Sequence, residues 1–207
     1  KATEKNSVKC VWGDAFESIK SIADDTNDHI FVDLNDDQFC IDLAAKNMDL
    51  SYVINLQGDE PLIDFDSINL VISMLPILEK KENAIINAIK DINSEEAFDP
   101  NNVKCAVLEN LSKIQYLSRK PLLNSEEGSG NTNYFKQLGL YALSIDNLQK
   151  FANMPKGELE KAERIELLRW LENGNELIPC QIIKETISVD TPCLLYTSDA
   201  ADEEDSV

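Results

Sequence analysis

The residues best suited to chemistry begin with Gln57-Gly58-Asp59-Glu60-Pro61, which follows an apolar run at 51–56. A glycine at a strand's carboxyl end lets the backbone turn sharply, and the two acids behind it then project into the crevice where α/β sheets bind ligands. Hard divalent cations take carboxylate oxygens, and Mg²⁺ is usually held by one or two of them plus substrate phosphates. Asp59 is therefore a candidate Mg²⁺ ligand, with Glu60 as helper or structural residue. A plain turn with solvated acids is the competing reading. A second acid, Asp190 in Ser188-Val189-Asp190-Thr191-Pro192, follows another strand-like segment. Arg119, after Tyr116-Leu117-Ser118, and Lys104, after Asn101-Asn102-Val103, complete the set. Two strand-end carboxylates with an arginine and a lysine suit a metal-bridged nucleoside triphosphate.

The elements that must position these residues alternate along the chain. Apolar runs predict strands at 8–12, 29–34, 51–56, 83–89, 103–109, 139–144 and 177–183, with 115–118 pairing back as a hairpin. Asp14 is placed to cap a helix carrying Phe16, Ile19 and Ile22, and a helix over 67–79 should be shortened or kinked by Pro76. The strongest helical pattern is 158–173. Leu159, Ala162, Ile165, Leu168 and Leu171 form one stripe, Glu160 and Arg164 stand at i,i+4, and Gly174 ends it. Residues 126–133 read as a loop. Strands separated by helices predict an α/β layer fold with a largely parallel sheet.

Composition bounds the function. The 207 residues carry 19 Lys+Arg against 38 Asp+Glu, a net charge of −19. Such a chain repels phosphates over most of its surface, which excludes a general nucleic-acid or anionic-membrane binder. A small anionic ligand requires a local convergence of Arg and Lys, or a bridging cation. Five cysteines at 10, 40, 105, 180 and 193 form neither a zinc pattern nor a disulfide framework, and a reducing cytoplasm fits them best. A single histidine, His29, excludes a zinc hydrolase built on several of them. No apolar run approaches the ~18 residues of a membrane span. The start is neither a signal peptide nor an initiator sequence, so the chain is expected to begin inside a gene.

Several segments, in order, resemble one family. Val53-Ile54-Asn55-Leu56-Gln57-Gly58-Asp59-Glu60-Pro61 is similar to the central-strand motif of the 3-deoxy-manno-octulosonate cytidylyltransferases, or CMP-Kdo synthetases. Asp99-Pro100-Asn101-Asn102-Val103-Lys104 is similar to their Asn-Pro-Asn-x-Val-Lys segment, and Tyr116-Leu117-Ser118-Arg119 to their Tyr-Phe-Ser-Arg. Gly139-Leu140-Tyr141 resembles their Gly-hydrophobic-Tyr strand. Leu159-Glu160-Lys161-Ala162-Glu163, with Leu168-Arg169 and Asn173-Gly174, resembles their Leu-Glu-x-x-Glu…Leu-Arg…Asn-Gly helix, and Val189-Asp190-Thr191-Pro192 their Val-Asp-Thr-Pro. The likeness covers about residues 51–192.

This resemblance implies a Rossmann-like, three-layer nucleotidyltransferase fold with a mostly parallel central sheet. It implies a reaction of CTP with Kdo giving CMP-Kdo and pyrophosphate, dependent on Mg²⁺, by a cytoplasmic homodimer serving lipopolysaccharide assembly. Asp59 and Asp190 would hold the metal. Asp59, Arg119 and Lys104 would be catalytic, and Gln57, Gln137, Tyr141, Glu160 and Glu163 would line the substrate pocket. Each has a plainer reading: Arg119 as a surface ion pair, Lys104 as a solvated strand-end charge, Tyr141 as packing, Glu160 as the partner of Arg164. A sialic-acid or other sugar-acid cytidylyltransferase, an inactive fragment and a non-catalytic domain of the same fold are the alternatives.

The departures matter too. The family's opening Pro-Gly-Lys-Pro loop is absent, so residues 1–192 are expected to form the cytidylyltransferase domain without its first βα unit. Its Ser-Gly-Thr-Asp-Arg segment is replaced by Gln38-Phe39-Cys40-Ile41-Asp42, and its usual histidine is Gln137. Residues 193–207, with five acids and no base, read as a solvated acidic tail or, preferably, as non-native sequence resembling adapter read-through.

Overall fold

The computed structural model describes residues 30–33, 51–57, 63–108, 110–122 and 134–183. The strand and helix expected within 8–23, the loop at 126–133 and the acidic tail lie outside them.

Among the described residues seven strands form one sheet: β1 (Ile30–Asp33), β2 (Tyr52–Gln57), β3 (Ala84–Ile92), β4 (Lys104–Val107), β5 (Ile114–Ser118), β6 (Tyr134–Ser144) and β7 (Glu176–Ile182). Their order is β1-β2-β6-β3-β7-β5-β4, and β4 also pairs back onto β6. β1–β2 and β3–β7 are parallel, whereas β6 runs antiparallel to β2, β3 and β4, and β5 antiparallel to β4 and β7. Five strands thus point one way. The insertion of β6 between β2 and β3 makes the sheet mixed at its centre, a feature that apolar patterning cannot reveal. The expected hairpin of 115–118 is the β4–β5 pair.

Each sheet face is covered, because both faces of the interior strands are apolar. On one face Ile54, Leu56, Ile86, Ala88, Leu138, Leu140, Ile178 and Cys180 pack against Ile68 and Val71 of α1 (Phe65–Met74). On the other, Val53, Ile85, Ile89, Tyr141, Leu143 and Leu177 pack against Leu148 and Phe151 of α3 (Ile145–Ala152), and Leu167, Leu168 and Trp170 of α5 (Leu167–Glu172). The result is three layers. Asp64 starts α1 two residues earlier than the pattern predicts, its carboxylate accepting from the N–H groups of Asp66 and Ser67. Pro76 lies in the 3₁₀ turn Leu75–Ile77 that follows, so the helix ends at Met74. A short α2 (Ser94–Phe98), closed by an Asn93–Glu96 capping box, was not expected.

The helix expected over 158–173 is two helices, α4 (Glu158–Glu163) and α5. Arg164 between them is left-handed, with φ 57° and ψ 45°. Leu159 at the head of the apolar stripe is 37% exposed, while Ile165 and Leu168 are buried. The break swings α5 onto the sheet and leaves the start of α4 at the surface. Gly174 does end α5: its N–H reaches the Leu171 carbonyl at 2.9 Å and the Asn175 N–H reaches Trp170 at 3.4 Å, with φ +76° at the glycine.

Candidate active site

Strand β6 is long enough to be shared along one edge. β2 pairs with residues 140–144 of it, and β4 with Lys136 and Phe135. Between them lie Gln137, Leu138 and Gly139, where the Gln137 N–H donates to the Val103 carbonyl at 2.8 Å. On the other edge the β3 register jumps from Asn87↔Tyr141 to Ile89↔Gln137. Two steps on β3 answer four on β6, so β6 bulges there. The Asn87 amide fills the gap, its Nδ2 donating to the carbonyls of Leu138 at 3.2 Å and Leu140 at 3.4 Å. Bulges of this kind gather beside functional sites. β2 ends at Gln57 beside the same opening, and Gly58 through Pro61 continue from there in the sequence.

Arg119 is fixed at the rim of this opening by two charged side chains. The Glu163 carboxylate accepts from the Arg119 N–H at 3.0 Å and from the Ser118 hydroxyl at 3.1 Å. Lys104, 1% exposed, donates to the carbonyls of Asp99 at 2.8 Å, Asn102 at 2.7 Å and Arg119 itself. The peptide groups on both sides of the Arg119 Cα are therefore held. Its guanidinium lies against the carbonyls of Glu163, through Nε at 3.3 Å, and Pro100, through Nη1 at 3.2 Å. Burial pushes the Lys104 ammonium below its usual pKa, against the pull of Asp99; Arg119 lowers it further and Glu163 opposes. Lys104 is thus not a solvated strand-end charge. All three of its N–H bonds are spent on carbonyls, which makes it a positioning residue for Arg119 and the turn at 99–102 in this structure.

The local field also departs from the chain's average. Lys90, Lys136 and Lys104 stand in one register row across β3, β6 and β4, with Arg119 bonded to the last. Strand alternation puts this row on the sheet face opposite Gln137 and Tyr141, and the Lys104 ammonium is already spent on carbonyls.

The break after α4 serves the same place. Glu163 reaches β5, and Glu166, just past the left-handed Arg164, accepts a hydrogen bond from the Tyr141 hydroxyl. Tyr141 is packed in the core, its hydroxyl tip bonded to Glu166. Glu160 stands elsewhere. It pairs with Arg169 across 3.3 Å, not with Arg164, in a buried contact where Arg169 also donates to the Met154 carbonyl and lies over the Phe151 ring. That pair ties α4 to α5 from behind the site. A left-handed backbone costs an L residue with a Cβ roughly 1 kcal/mol that glycine is spared. Arg164→Gly should therefore raise stability by about 0.5 kcal/mol after glycine's greater unfolded freedom is subtracted, and Arg164→Val should lower it. Urea midpoints of the two variants check the sign.

The structure sets Lys104 against Lys136 near the start of β6 and bonds Arg119 to Lys104 and Glu163; Gln137 and Tyr141 stand four residues apart further along the strand, and Gln57 ends β2 one residue past the Leu56↔Leu140 pair. Asp59 and Asp190 lie outside the described residues. Among the described residues no group of three or more His, Cys, Asp or Glu is placed to hold a metal. β2 and β7, which precede these two aspartates, run in the same direction, so both leave the same edge of the sheet. Glu166 and Ser118 were missed from the sequence, as were Asn55 and Asn87. The last two carried a signal, since an asparagine inside an otherwise apolar strand is disfavoured unless something uses it. A hollow of about 430 Å³ at the other end of the sheet, near Tyr52, Glu79 and Lys150, is separate from this site.

A solved structure of CMP:2-keto-3-deoxy-manno-octonic acid synthetase complexed with CTP superposes with a TM-score of 0.76 at 20% identity, covering 97% of this chain and 92% of that one. The fold is that of a Rossmann-like α/β nucleotidyltransferase. Residues 30–183 match the family described as cytidylyltransferase, and the chain belongs to that family. A 3-deoxy-manno-octulosonate cytidylyltransferase of Solibacter usitatus is 37% identical over 150 residues, 72% of this chain and 58% of the relative. One of Christiangramia forsetii is 33% identical over 153 residues, 72% of this chain and 60% of the relative. The chain thus matches somewhat over half the length of these relatives.

Proposed function

We propose that this protein activates Kdo with CTP, giving CMP-Kdo and pyrophosphate, as a Mg²⁺-dependent cytoplasmic homodimer that supplies lipopolysaccharide assembly. The observation that carries the reading is Arg119, locked by Glu163 and Lys104 beside the β6 opening in a chain of the cytidylyltransferase family. The names of the relatives support the choice of sugar.

In the reaction the sugar's anomeric hydroxyl attacks the α-phosphorus as pyrophosphate leaves in line. Charge on the phosphoryl oxygens is the main obstacle, so positioning and fixed positive charge do most of the work, and no covalent protein intermediate is required. Arg119 meets an anionic group, the sugar carboxylate or a phosphate, and its fork suits a carboxylate. Because its backbone is clamped on both sides, the guanidinium needs little reorganisation as the ligand arrives. Gln57, Gln137 and Tyr141 face the sugar, and Glu163 holds Arg119 in place. Asp59 and Asp190 would hold Mg²⁺: two carboxylates make the hard-oxygen donor set that this ion takes together with phosphates. Bound there, the ion would offset phosphate charge.

Pyrophosphate release from the 207-residue chain with Mg²⁺ and Kdo, compared across CTP, ATP, GTP and UTP, tests the reading. Release with CTP alone is expected. Equal release with all four, or with none, overturns it for this chain.

A further inference from the structure

The hollow of about 430 Å³ lies at the amino ends of β2 and β3, the opposite end of the sheet from Gln57. Leu78, 5% exposed, gives it an apolar floor. Glu79, Glu82 and Asp146 stand exposed around it. The Glu79 carboxylate accepts from the Tyr52 hydroxyl at 3.3 Å, whereas the side chains of Glu82 and Asp146 meet no partner among the described residues. Lys150 is the only cation that lines the hollow among those residues. Its ammonium is taken up by the side-chain oxygens of Asn83 and Asn175, both at 2.7 Å, with the Trp170 ring centre 5.1 Å away. Three carboxylates against one engaged ammonium leave the lining net negative.

A ring of acids is a solvated surface unless something deeper also asks for a ligand, and here Asn147 does. It is 3% exposed and lines the hollow from the first turn of α3. Its Nδ2 donates to the Ala84 carbonyl at 2.9 Å, which only the NH₂ end can do, so the amide's orientation is fixed. Its Oδ1 accepts from no group among the described residues. Nor is that oxygen fully enclosed, so the little surface that Asn147 keeps presents it to the hollow. A buried amide oxygen without a donor is uncommon in a folded protein.

The missing partner is a donor, and the surrounding field selects its charge. Anions are repelled, and a neutral polyol leaves the carboxylates unanswered. A metal ion needs several ligands aimed at one point, and among the described residues no three His, Cys, Asp or Glu groups converge. Negative charges spread around an apolar floor match a cation whose charges are also spread, with hydrocarbon between them. From this we infer that the hollow binds a short aliphatic diamine, its ammonium groups answered by Asn147 Oδ1 and the rim carboxylates. The site is independent of the proposed reaction.

Titration calorimetry of the 207-residue chain with 1,4-diaminobutane reads it, at an ionic strength of about 0.15 M that screens distant surface charges. Saturable binding of the diamine is expected, and none of 1,4-butanediol, which has the same length and no charge. Glu82→Gln combined with Asp146→Asn should weaken the diamine about tenfold or more, since a charge-assisted hydrogen bond is lost. Both positions are exposed, so the melting temperature should hold. Should the pair fail to fold, Glu82→Gln alone is read the same way, with a smaller loss expected. Glu95→Gln combined with Glu158→Gln removes the same charge from α2 and α4 and should leave the affinity unchanged. Equal weakening by the two pairs would reflect only the chain's overall charge of −19 and overturn the site. Affinity that survives the first pair, butanediol binding as tight as the diamine's, or no diamine binding would overturn it too.

Discussion

Lys104→Met should lower the unfolding free energy by about 3 kcal/mol, because each buried acceptor left without its donor costs roughly 1–3 kcal/mol and three carbonyls share this ammonium. The oxygens belong to Asp99, Asn102 and Arg119, so the loss falls on the turn that ends α2 and on the residue after β5. Methionine fills most of the stem's volume, which separates the polar loss from a cavity. Lys104→Arg should not restore stability. Its planar fork cannot aim three N–H bonds at three converging carbonyls, and a side chain that is 1% exposed has no room for a larger head. The urea midpoint of the chain reads both variants. A Met variant as stable as wild type would show that the carbonyls find other partners and that the clamp on Arg119 is dispensable.

How much of this could be read from the sequence differs by element. The interior strands were legible because both faces are buried, so β2, β3 and β7 appear as short, nearly continuous apolar runs. The direction of β6 was not, since an antiparallel strand inserted among parallel ones carries the same apolar residues. Its length was also underread. Lys136 and Gln137 interrupt the apolar pattern, yet the strand runs through both from Tyr134. The break at Arg164 left no trace, because the stripe Leu159–Ala162–Ile165–Leu168 keeps its spacing across a left-handed residue that is neither glycine nor asparagine. Lys104 shows the same limit at the site. A lysine at a strand's start reads as solvated, and only the fold brings two carbonyls of the 99–102 turn and that of Arg119 onto it. Arg119, Gln137, Tyr141 and Glu163 were placed by family likeness, while Glu160 matched the motif and yet faces Arg169. A motif names residues; which way each points is settled by packing.

The largest loss of turnover is expected from Asp59→Asn. The substitution keeps size, shape and one carbonyl oxygen, and removes only the negative charge, so the segment after β2 should fold as before. In the proposed reaction that charge helps to hold Mg²⁺, and a neutral amide is a far poorer partner for a hard divalent cation. With the ion weakly held, phosphate repulsion between the nucleotide and the sugar acid goes unanswered in a molecule of net charge −19. Pyrophosphate release with CTP and Kdo should fall on the order of a thousandfold, the scale on which removing one preorganised electrostatic group acts. The melting temperature should stay at the wild-type value. Raising Mg²⁺ should recover part of the loss if Asp59 binds the ion, and none of it if Asp59 acts only on the sugar. Wild-type turnover in the variant would remove Asp59 from the metal site and leave Asp190 to be tested alone.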